Sequence, residues 1–436
     1  MKKTIITLLI SAALGTLVAC QDDDSKVSVQ SETQAQSVNQ ADVKKEATTE
    51  IDYVKEAQQI SKKYVIADLH VDVPYRLEEQ LNDGHEHDDV SQATQSGDFD
   101  YPRAKSGGLD APFMSIYIPA SIEQENGLDG SSKAMADKLI GLVENIVAEA
   151  PEKYALAYSS DDVIDNFNKG LISLPMGMEN GSPLEGNLDN LQYFYDKGIR
   201  YITLSHSLSN HISDSSYDEA RPADGLTDFG KQVVAEMNRL GIMVDVSHIS
   251  DEAFYDVMEI TSAPVIASHS SARHFTPGFE RNMSDEMIKK LADNGGVIFI
   301  NFGSTFVSQT SIENYNAYKE ARAKFVEESG IELDDPKIAE FTKTYRAQTP
   351  FEFADLDVVL DHFDHVVKLV GIDHVGIGSD YDGVGDSLPT GLKDVATYPN
   401  LITGLLKRGY SEQDIEKILS GNLFRVWKQA EQISQQ

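Results

Sequence analysis

The sequence has 436 residues, of which 41% are hydrophobic and 25% charged, an ordinary composition for a folded globular protein. Its 71 acidic residues outnumber its 37 Lys and Arg residues, giving a formal net charge of −34. So acidic a chain should repel a phosphate backbone, which excludes nonspecific nucleic-acid binding. Its single cysteine excludes an intrachain disulfide, a cysteine-based zinc site and an iron–sulfur protein.

The N-terminus predicts an export signal. Lys2 and Lys3 precede an apolar run at 5–18, which has the length of a signal-peptide core and is short for a membrane span. The run ends in LVAC at 17–20, similar to a bacterial lipobox. We therefore expect residues 1–19 to be removed as a lipoprotein signal peptide and Cys20 to be lipidated. An ordinary signal peptide with a chance cysteine is the alternative.

Residues 20–50 predict a disordered tether. They are rich in Gln, Ser, Thr, Asp and Glu and, after Cys20, contain no aromatic residue, Leu or Ile, so they cannot bury enough apolar surface to fold. Several acyl chains on one residue would anchor the protein stably in a membrane. The predicted location is the bacterial cell envelope, at the outer membrane because Gln21 rather than Asp follows the cysteine.

Residues 51–436 predict an α/β fold, a (β/α)8 TIM-type barrel, because short apolar runs alternate with helical patterns. The runs, which have the character of strands buried on both faces, lie at 64–69, 113–118, 171–178, 200–205, 242–247, 264–268, 296–301 and 374–379. The helical patterns include 132–148, 228–240, 251–260, 284–293 and 354–370. A doubly wound open sheet is the alternative fold. The polar segment at about 303–350 predicts a helical insertion after the seventh strand.

Six of the eight predicted strands end in a side chain that can bind a metal or a proton. These residues are His70 and Asp72 after the first strand, Glu179 after the third, His206 after the fourth, His248 after the fifth, His269 after the sixth and Asp380 after the eighth. The carboxyl ends of barrel strands face the active site, so we expect these side chains to converge there.

The set predicts a dinuclear metal site. His70 and Asp72 are two apart in an extended segment and project to the same side, so they can hold one ion. His248 and His269 belong to neighbouring strands and can hold a second ion, while Glu179 at the end of an apolar strand needs a cation and can lie between the two. These ligands suit two zinc ions, although other divalent metals share them.

Such a site predicts hydrolysis, because two divalent ions about 3.5–4 Å apart can share a hydroxide that attacks a carbonyl carbon. Asp380 is then available as general base and acid, and His206 to stabilise the oxyanion. Other histidines are weaker candidates. His362 and His365 predict a surface face of a helix, and His274 lies near the predicted mouth of the barrel.

At this point the chain resembles the renal (membrane) dipeptidase family of zinc metallopeptidases, as a bacterial lipoprotein member. The resemblance covers about residues 60–432 and includes ADLHVD (67–72), TLSHSLSN (203–210), MNRLGIMVDVSH (237–248), APVIASHSSAR (263–273), RNMSDE (281–286) and GIDHVGIGSDYDG (371–383). It implies a (β/α)8 barrel with a two-zinc site that hydrolyses dipeptides. Members of this family often form homodimers, so a homodimer is an expected assembly.

The resemblance also implies individual roles. His70 and Asp72 would bind the first zinc, His248 and His269 the second, Glu179 would bridge them, His206 would contact the scissile carbonyl, Asp380 would transfer the proton, and Arg281 would bind the substrate carboxylate. A guanidinium suits a carboxylate bidentately, and Arg273 is the competing arginine. The family usually has Glu-Gly at the bridging position, whereas this chain has Glu179-Asn180-Gly181, and Glu185-Gly186 follows as the alternative.

The predicted function is metal-dependent dipeptide hydrolysis by a metal-bridging hydroxide, with a dipeptide or a similar small molecule as substrate. The same zinc chemistry would serve a related barrel amidohydrolase acting on N-acyl amino acids, lactones or β-lactams. An alternative from another class is a non-catalytic solute-binding lipoprotein, which needs no converging set of histidines and carboxylates.

Overall fold

Eight parallel strands form a nearly closed barrel in the computed structural model, which describes residues 52–332 and 335–435. In chain order the strands are β1 (Ile66–Val71), β2 (Leu109–Tyr117), β3 (Tyr154–Leu156), β4 (Ile172–Leu174), β5 (Met176–Glu179), β6 (Ile199–Thr203), β7 (Met243–Asp245), β8 (Ile266–Ser270), β9 (Val297–Ile300) and β10 (Val375–Ile377). The barrel order is β1-β2-β5-β6-β7-β8-β9-β10, while β3 and β4 form a separate parallel pair. The predicted N-terminal signal, Cys20 and tether lie outside the described residues.

Helices connect the strands and surround the barrel. They are α1 (Tyr53–Lys63), α2 (Val73–Asn82), α3 (Tyr101–Gly107), α4 (Ala120–Asn126), α5 (Ser131–Glu149), α6 (Ser160–Asn168), α7 (Asp189–Asp196), α8 (Asp228–Leu240), α9 (Asp251–Ile260), α10 (Asp285–Asp293), α11 (Ser304–Val307), α12 (Gln309–Ser329), α13 (Lys337–Gln348), α14 (Leu356–Val370), α15 (Tyr398–Lys407), α16 (Glu412–Glu416) and α17 (Asn422–Ser434). Within these described residues no helix combines the length and hydropathy that crossing a membrane requires.

The barrel closes where β10 meets β1, at the end that carries the predicted site. The Asp72 amide donates to the Tyr381 carbonyl at 2.8 Å, and the Asp380 amide donates to the His70 carbonyl at 3.1 Å. These bonds bring Asp380, which follows β10, beside His70 and Asp72 at the end of β1. The closure confirms the predicted barrel and excludes the doubly wound open sheet.

The prediction of one continuous strand at 171–178 was wrong. Pro175 separates β4 from β5, and only β5 belongs to the barrel. Proline has no amide hydrogen and cannot donate to a strand ladder, so the sheet pairing changes at this residue. The Pro175 carbonyl still accepts from the Met114 amide at 2.8 Å, which aligns the start of β5 with β2.

A hydrophobic cluster fills the barrel below the site. The ring of Phe113 lies 5.2 Å from that of Trp427 on α17 and 5.7 Å from that of Tyr201, measured between centroids. All three side chains are buried. Tyr201 is thus held from below by apolar packing while its hydroxyl points toward the strand ends.

Candidate metal centre

The side chains predicted from the strand ends meet at the carboxyl end of the barrel. His70 and His269 lie within β1 and β8, and Glu179 is the last residue of β5. Asp72 directly follows β1, and three predicted positions lie three residues past their strands: His206 after β6, His248 after β7 and Asp380 after β10. Three of these strands are therefore shorter than predicted. At His248 and Asp380 the chain leaves the extended conformation, with φ of 69° and 65°.

Glu179 lies between two sets of histidines, with one oxygen facing each set. Its Oε2 lies 3.3 Å from Nε2 of His70. Its Oε1 lies 3.1 Å from Nε2 of His248 and 3.2 Å from Nε2 of His269. Asp72 extends the first set, since its Oδ2 lies 3.4 Å from Nε2 of His70. A buried carboxylate placed this way can bridge two cations.

A hydrogen-bond chain fixes the His269 imidazole. The Ser268 hydroxyl donates to the Asp245 carboxylate at 2.6 Å, so its oxygen accepts from Nδ1 of His269 at 2.7 Å. This leaves the lone pair on Nε2, the nitrogen that faces Glu179. A carboxylate behind a ligating histidine is a common device for orienting the ring toward a metal.

A second chain fixes His70 in the same tautomer. The Tyr201 hydroxyl donates to the Leu69 carbonyl at 3.0 Å and lies 2.9 Å from Nδ1 of His70, which therefore donates to it. Tyr201 can reach this point because its ring passes over Gly177, where an added Cβ would lie 2.0 Å from the ring. The free lone pair of His70 is again on Nε2.

The donor set fits a divalent cation. Nε2 of His248 lies 2.8 Å from Nε2 of His269, so two ring nitrogens lie side by side next to Glu179. Burial, together with the nearby Arg281 cation, holds the pKa of both imidazoles well below the ordinary value, which favours the neutral, ligating form. Among the described residues, the buried His70 Nε2 and Asp72 Oδ1 have no hydrogen-bond partner. Imidazole nitrogens and carboxylate oxygens in this number suit zinc and related divalent metals.

Asp380 is held by a residue to which the sequence assigned no role. The Asn301 side-chain amide donates to Asp380 Oδ2 at 2.7 Å, and its own oxygen accepts from the Gly303 amide at 2.7 Å. Burial, reinforced by the Asp72 and Glu179 carboxylates, raises the pKa of Asp380 to about 7. The available signal was position, because Asn301 directly follows the seventh barrel strand.

Arg281 lies against the histidines, whereas Arg273 is engaged elsewhere. The Arg281 Nη2 atom lies 3.0 Å from His248 Nε2 and donates to the His269 carbonyl at 2.9 Å. Its Nε has no partner among the described residues. The guanidinium of Arg273 is held by both oxygens of Asp251 at 2.6 and 2.7 Å. Of the two arginines, Arg281 is the one beside the centre.

His206 forms the more open edge of the centre. Its side chain is 19% exposed, and its Nε2 lies 3.5 Å from Glu179 Oε1. Its ring packs edge-on against Tyr117, with 4.7 Å between centroids. Sequence reasoning missed Tyr117, although it ends β2 directly opposite Glu179 in the strand register. Burial lowers the pKa of His206, so this imidazole is neutral near pH 7.

The loop after Glu179 identifies which carboxylate belongs to the centre. Asn180, at φ 81°, donates from its side chain to the Ile118 carbonyl at 2.9 Å and accepts from Asn210 at 2.9 Å. It therefore secures the loop from within. Glu185, the alternative bridge, accepts from the backbone amides of Gly130 and Lys133 near the start of α5. The structure thus brings Glu179, not Glu185, to the histidines.

The prediction that His362 lies on a surface face was wrong, because this residue is fully buried. Its Nδ1 accepts from the Ala272 amide at 3.1 Å, and its Nε2 donates to the Val307 carbonyl at 3.0 Å. The acidic neighbours suggested exposure, but helix periodicity turns position 362 inward while Asp361 and Asp364 face Arg408.

Comparisons with known proteins agree with the barrel fold. A family model described as membrane dipeptidase, Peptidase family M19, matches residues 54–436. Dipeptidase 3 of Mus musculus is 32% identical over 383 residues, which are 87% of this chain and 67% of that protein. The crystal structure of the probable dipeptidase PvdM from Pseudomonas aeruginosa has a TM-score of 0.75 at 26% identity, covering 87% of this chain and 99% of that one.

A metallo peptidase from Rhodobacter sphaeroides, liganded with a phosphinate mimic of the dipeptide L-Ala-D-Ala, shares the fold with a TM-score of 0.67 at 23% identity. The match covers 84% of this chain and 99% of that one. The predicted resemblance is therefore confirmed over nearly the whole described part of the chain. The chain belongs to the membrane dipeptidase family of metallopeptidases, Peptidase family M19.

Proposed function

We propose that this chain hydrolyses dipeptides with two divalent ions, zinc by the nature of the donor set. One observation carries the proposal, namely that the two oxygens of Glu179 face two different ligand sets, His70 with Asp72 and His248 with His269. When bound, two such ions activate a water molecule and polarise the peptide carbonyl.

The remaining polar side chains suit the other steps of hydrolysis. Asp380, whose pKa burial raises to about 7, takes a proton from the attacking water and delivers it to the leaving amine. His206 is neutral and at the open edge, where its ring N–H donates to the developing oxyanion. Arg281 binds the substrate carboxylate, which restricts substrates to those with a nearby free C-terminus.

A matched pair of glutamine variants tests the bridge. Glu179→Gln removes the charge between the two ligand sets, so we expect loss of most bound zinc and a fall in kcat/KM of at least about 100-fold. The control is Glu185→Gln. Glu185 begins the nearby Glu185-Gly186 pair and accepts a backbone amide near the start of α5, so this variant should retain both metal and activity. Metal analysis and dipeptide hydrolysis measure the two effects. Equal activity of Glu179→Gln and the parent protein would overturn the proposal.

A substrate panel tests the chemistry. Hydrolysis of dipeptides with kcat/KM well above that for matched N-acyl amino acids and β-lactams supports a dipeptidase. The reverse order would favour the related amidohydrolase function. No catalysis, together with no bound metal in the purified protein, would instead favour the solute-binding alternative.

We also propose that residues 1–19 are a signal peptide, that Cys20 carries lipid and that residues 20–50 tether the domain 51–436 to the outer membrane. The sequence LVAC at 17–20 supports this proposal. In a Gram-negative host, the parent protein should incorporate labelled palmitate and fractionate with the outer membrane, whereas Cys20→Ser should do neither. Family resemblance supports a homodimer, for which light scattering during size-exclusion chromatography should give twice the chain mass.

A further inference from the structure

A second group of His and Asp side chains, of the kinds that can bind a metal, lies outside the centre described above. His274 lies in the short 3₁₀ helix Arg273–Phe275 that follows β8, Asp285 is the first residue of α10, and His365 lies in the middle of α14. One ligand atom from each of these three residues lies within 4.8 Å of the other two. Three separate elements thus bring two imidazoles and one carboxylate close together.

The pairwise contacts within this group are close. Nε2 of His365 lies 2.7 Å from Oδ1 of Asp285. The rings of His274 and His365 stack with 4.4 Å between centroids and 17° between planes. The carboxylate of Asp285 and the two imidazoles thus lie in mutual contact at one place on the surface.

The backbone that carries His274 is anchored from inside the protein. The buried His362 accepts from the Ala272 amide, two residues before His274. The ring of Phe275 lies 4.4 Å from that of His362 and 5.6 Å from that of His365, between centroids. The backbone at His274 is therefore held in place before any ligand arrives, which lowers the conformational cost of binding. The exposed His274 ring must turn out of the stack to aim its lone pair at an ion shared with His365.

We propose that His274, Asp285 and His365 bind one further divalent transition-metal ion, with zinc favoured by the donors and water completing the coordination. Two His nitrogens and one carboxylate oxygen are an established three-ligand set for Zn²⁺, at about 2.0–2.2 Å from the ion. The gap between His365 and Asp285 would widen to about 3.3 Å in a tetrahedral arrangement. Both side chains are partly exposed, at 16% and 34%, and have room for that adjustment.

The ion would connect the segment between His269 and Arg281 to α10 and α14. That segment carries His274 and joins a predicted metal ligand to the predicted carboxylate-binding arginine. Occupancy would therefore stabilise the surroundings of the centre without contributing a ligand to it.

Zinc titration of the purified, metal-loaded protein tests this inference. We expect the parent protein to take up one more equivalent of Zn²⁺ per chain than His274→Gln or Asp285→Asn, whatever number the central site holds. His211→Gln is the matched control, because His211 also pairs with a carboxylate, Glu123 at 3.0 Å, but has no second histidine in its pair. That control should retain the additional equivalent.

Cu²⁺ provides a second readout that is independent of catalysis. Added to protein whose centre is already filled, it should give an electron paramagnetic resonance signal with coupling to two nitrogens in the parent and to one nitrogen in His274→Gln. Circular dichroism confirms that each variant is folded. The inference is overturned if folded His274→Gln and Asp285→Asn bind as many equivalents of zinc as the parent with the same affinity.

Discussion

Asp72 and Asp380 can approach each other because Gly383 leaves room between them. A Cβ added to Gly383 would lie 2.2 Å from Asp380 Oδ1 and 2.2 Å from Asp72 Oδ2. At this position the requirement is for space rather than for an unusual backbone angle. A glycine three residues after the last strand-end carboxylate is thus part of the site, although it contributes no ligand.

We therefore expect Gly383→Ala to displace both carboxylates and to lower dipeptidase activity and metal affinity by at least about tenfold each. Activity assays and zinc competition with a chelator measure the two effects. The control is Gly141→Ala on α5, where an added Cβ meets nothing within 4 Å and a helical alanine is favourable. Unchanged zinc affinity in Gly383→Ala would show that the carboxylates do not need this space.

His362 should make stability depend on pH. Burial lowers its pKa to about 4, whereas an unfolded histidine titrates near 6.5. Above pH 6.5 the His362 imidazole is largely neutral in both the folded and the unfolded state. Between pH 6.5 and 4 it binds a proton in the unfolded chain but stays neutral in the folded protein. The free energy of unfolding should therefore fall by about 3 kcal/mol from this residue as the pH is lowered through that range.

Urea unfolding at several pH values measures this contribution. His362→Gln should lose about that much of the parent's pH dependence, while the exposed His85→Gln should keep all of it. Identical slopes for the parent and His362→Gln between pH 6.5 and 4 would contradict the assignment.

At the level of secondary structure, β7 orients a candidate metal ligand on the neighbouring strand β8. Asp245 at the end of β7 accepts from the Ser268 amide at 2.8 Å and from the Ser268 hydroxyl at 2.6 Å, and Ser268 in turn orients His269 on β8. A carboxylate on the adjacent strand thus sets the tautomer of His269, acting through Ser268.

Asp245→Asn should disturb this hydrogen-bond chain. If the amide nitrogen of the new asparagine faces Ser268, it donates to the Ser268 hydroxyl, which can then donate to Nδ1 of His269 and favour the other tautomer. We expect zinc affinity to fall about 10–100-fold while the fold persists. Asp110→Asn is the matched control. Asp110 is also buried and accepts a backbone amide, that of Ile66, but it lies at the opposite end of the barrel. Its variant should alter stability without altering zinc affinity, and equal zinc affinities in the two variants would contradict the relay.

The elements also show how far sequence reasoning reaches. Eight strands, their order and the convergence of His70, Glu179 and His269 could be predicted, because strand direction and the two-residue period place side chains without any knowledge of packing. Asn301 and Tyr117 could not be assigned roles, because their contacts with Asp380 and His206 depend on loop geometry. The prediction that His362 is exposed was wrong because it relied on the neighbouring acidic residues rather than on the helical period, which turns this position inward.

For the whole molecule, the excess negative charge should oppose folding. The net charge is −34, and the excess carboxylates repel one another more strongly in the compact folded state than in the expanded unfolded chain. Raising the ionic strength from 0.01 to 0.15 M shortens the Debye length from about 30 to about 8 Å. We therefore expect Tm to rise by several degrees over this range, equally in NaCl and KCl. A Tm that is constant or falls with salt would show that self-repulsion is not limiting.

The left-handed conformations of Asn180, His248 and Asp380 have a consequence for evolution. A backbone of this kind costs a residue other than glycine about 1–3 kcal/mol, and glycine would adopt it without strain. Asparagine and aspartate tolerate it comparatively well, whereas histidine does so less readily. Selection for stability of the folded state alone would thus favour glycine at position 248. A histidine there keeps its imidazole beside Glu179 at a cost in stability, so the demands of the centre and of thermal stability oppose each other at this position.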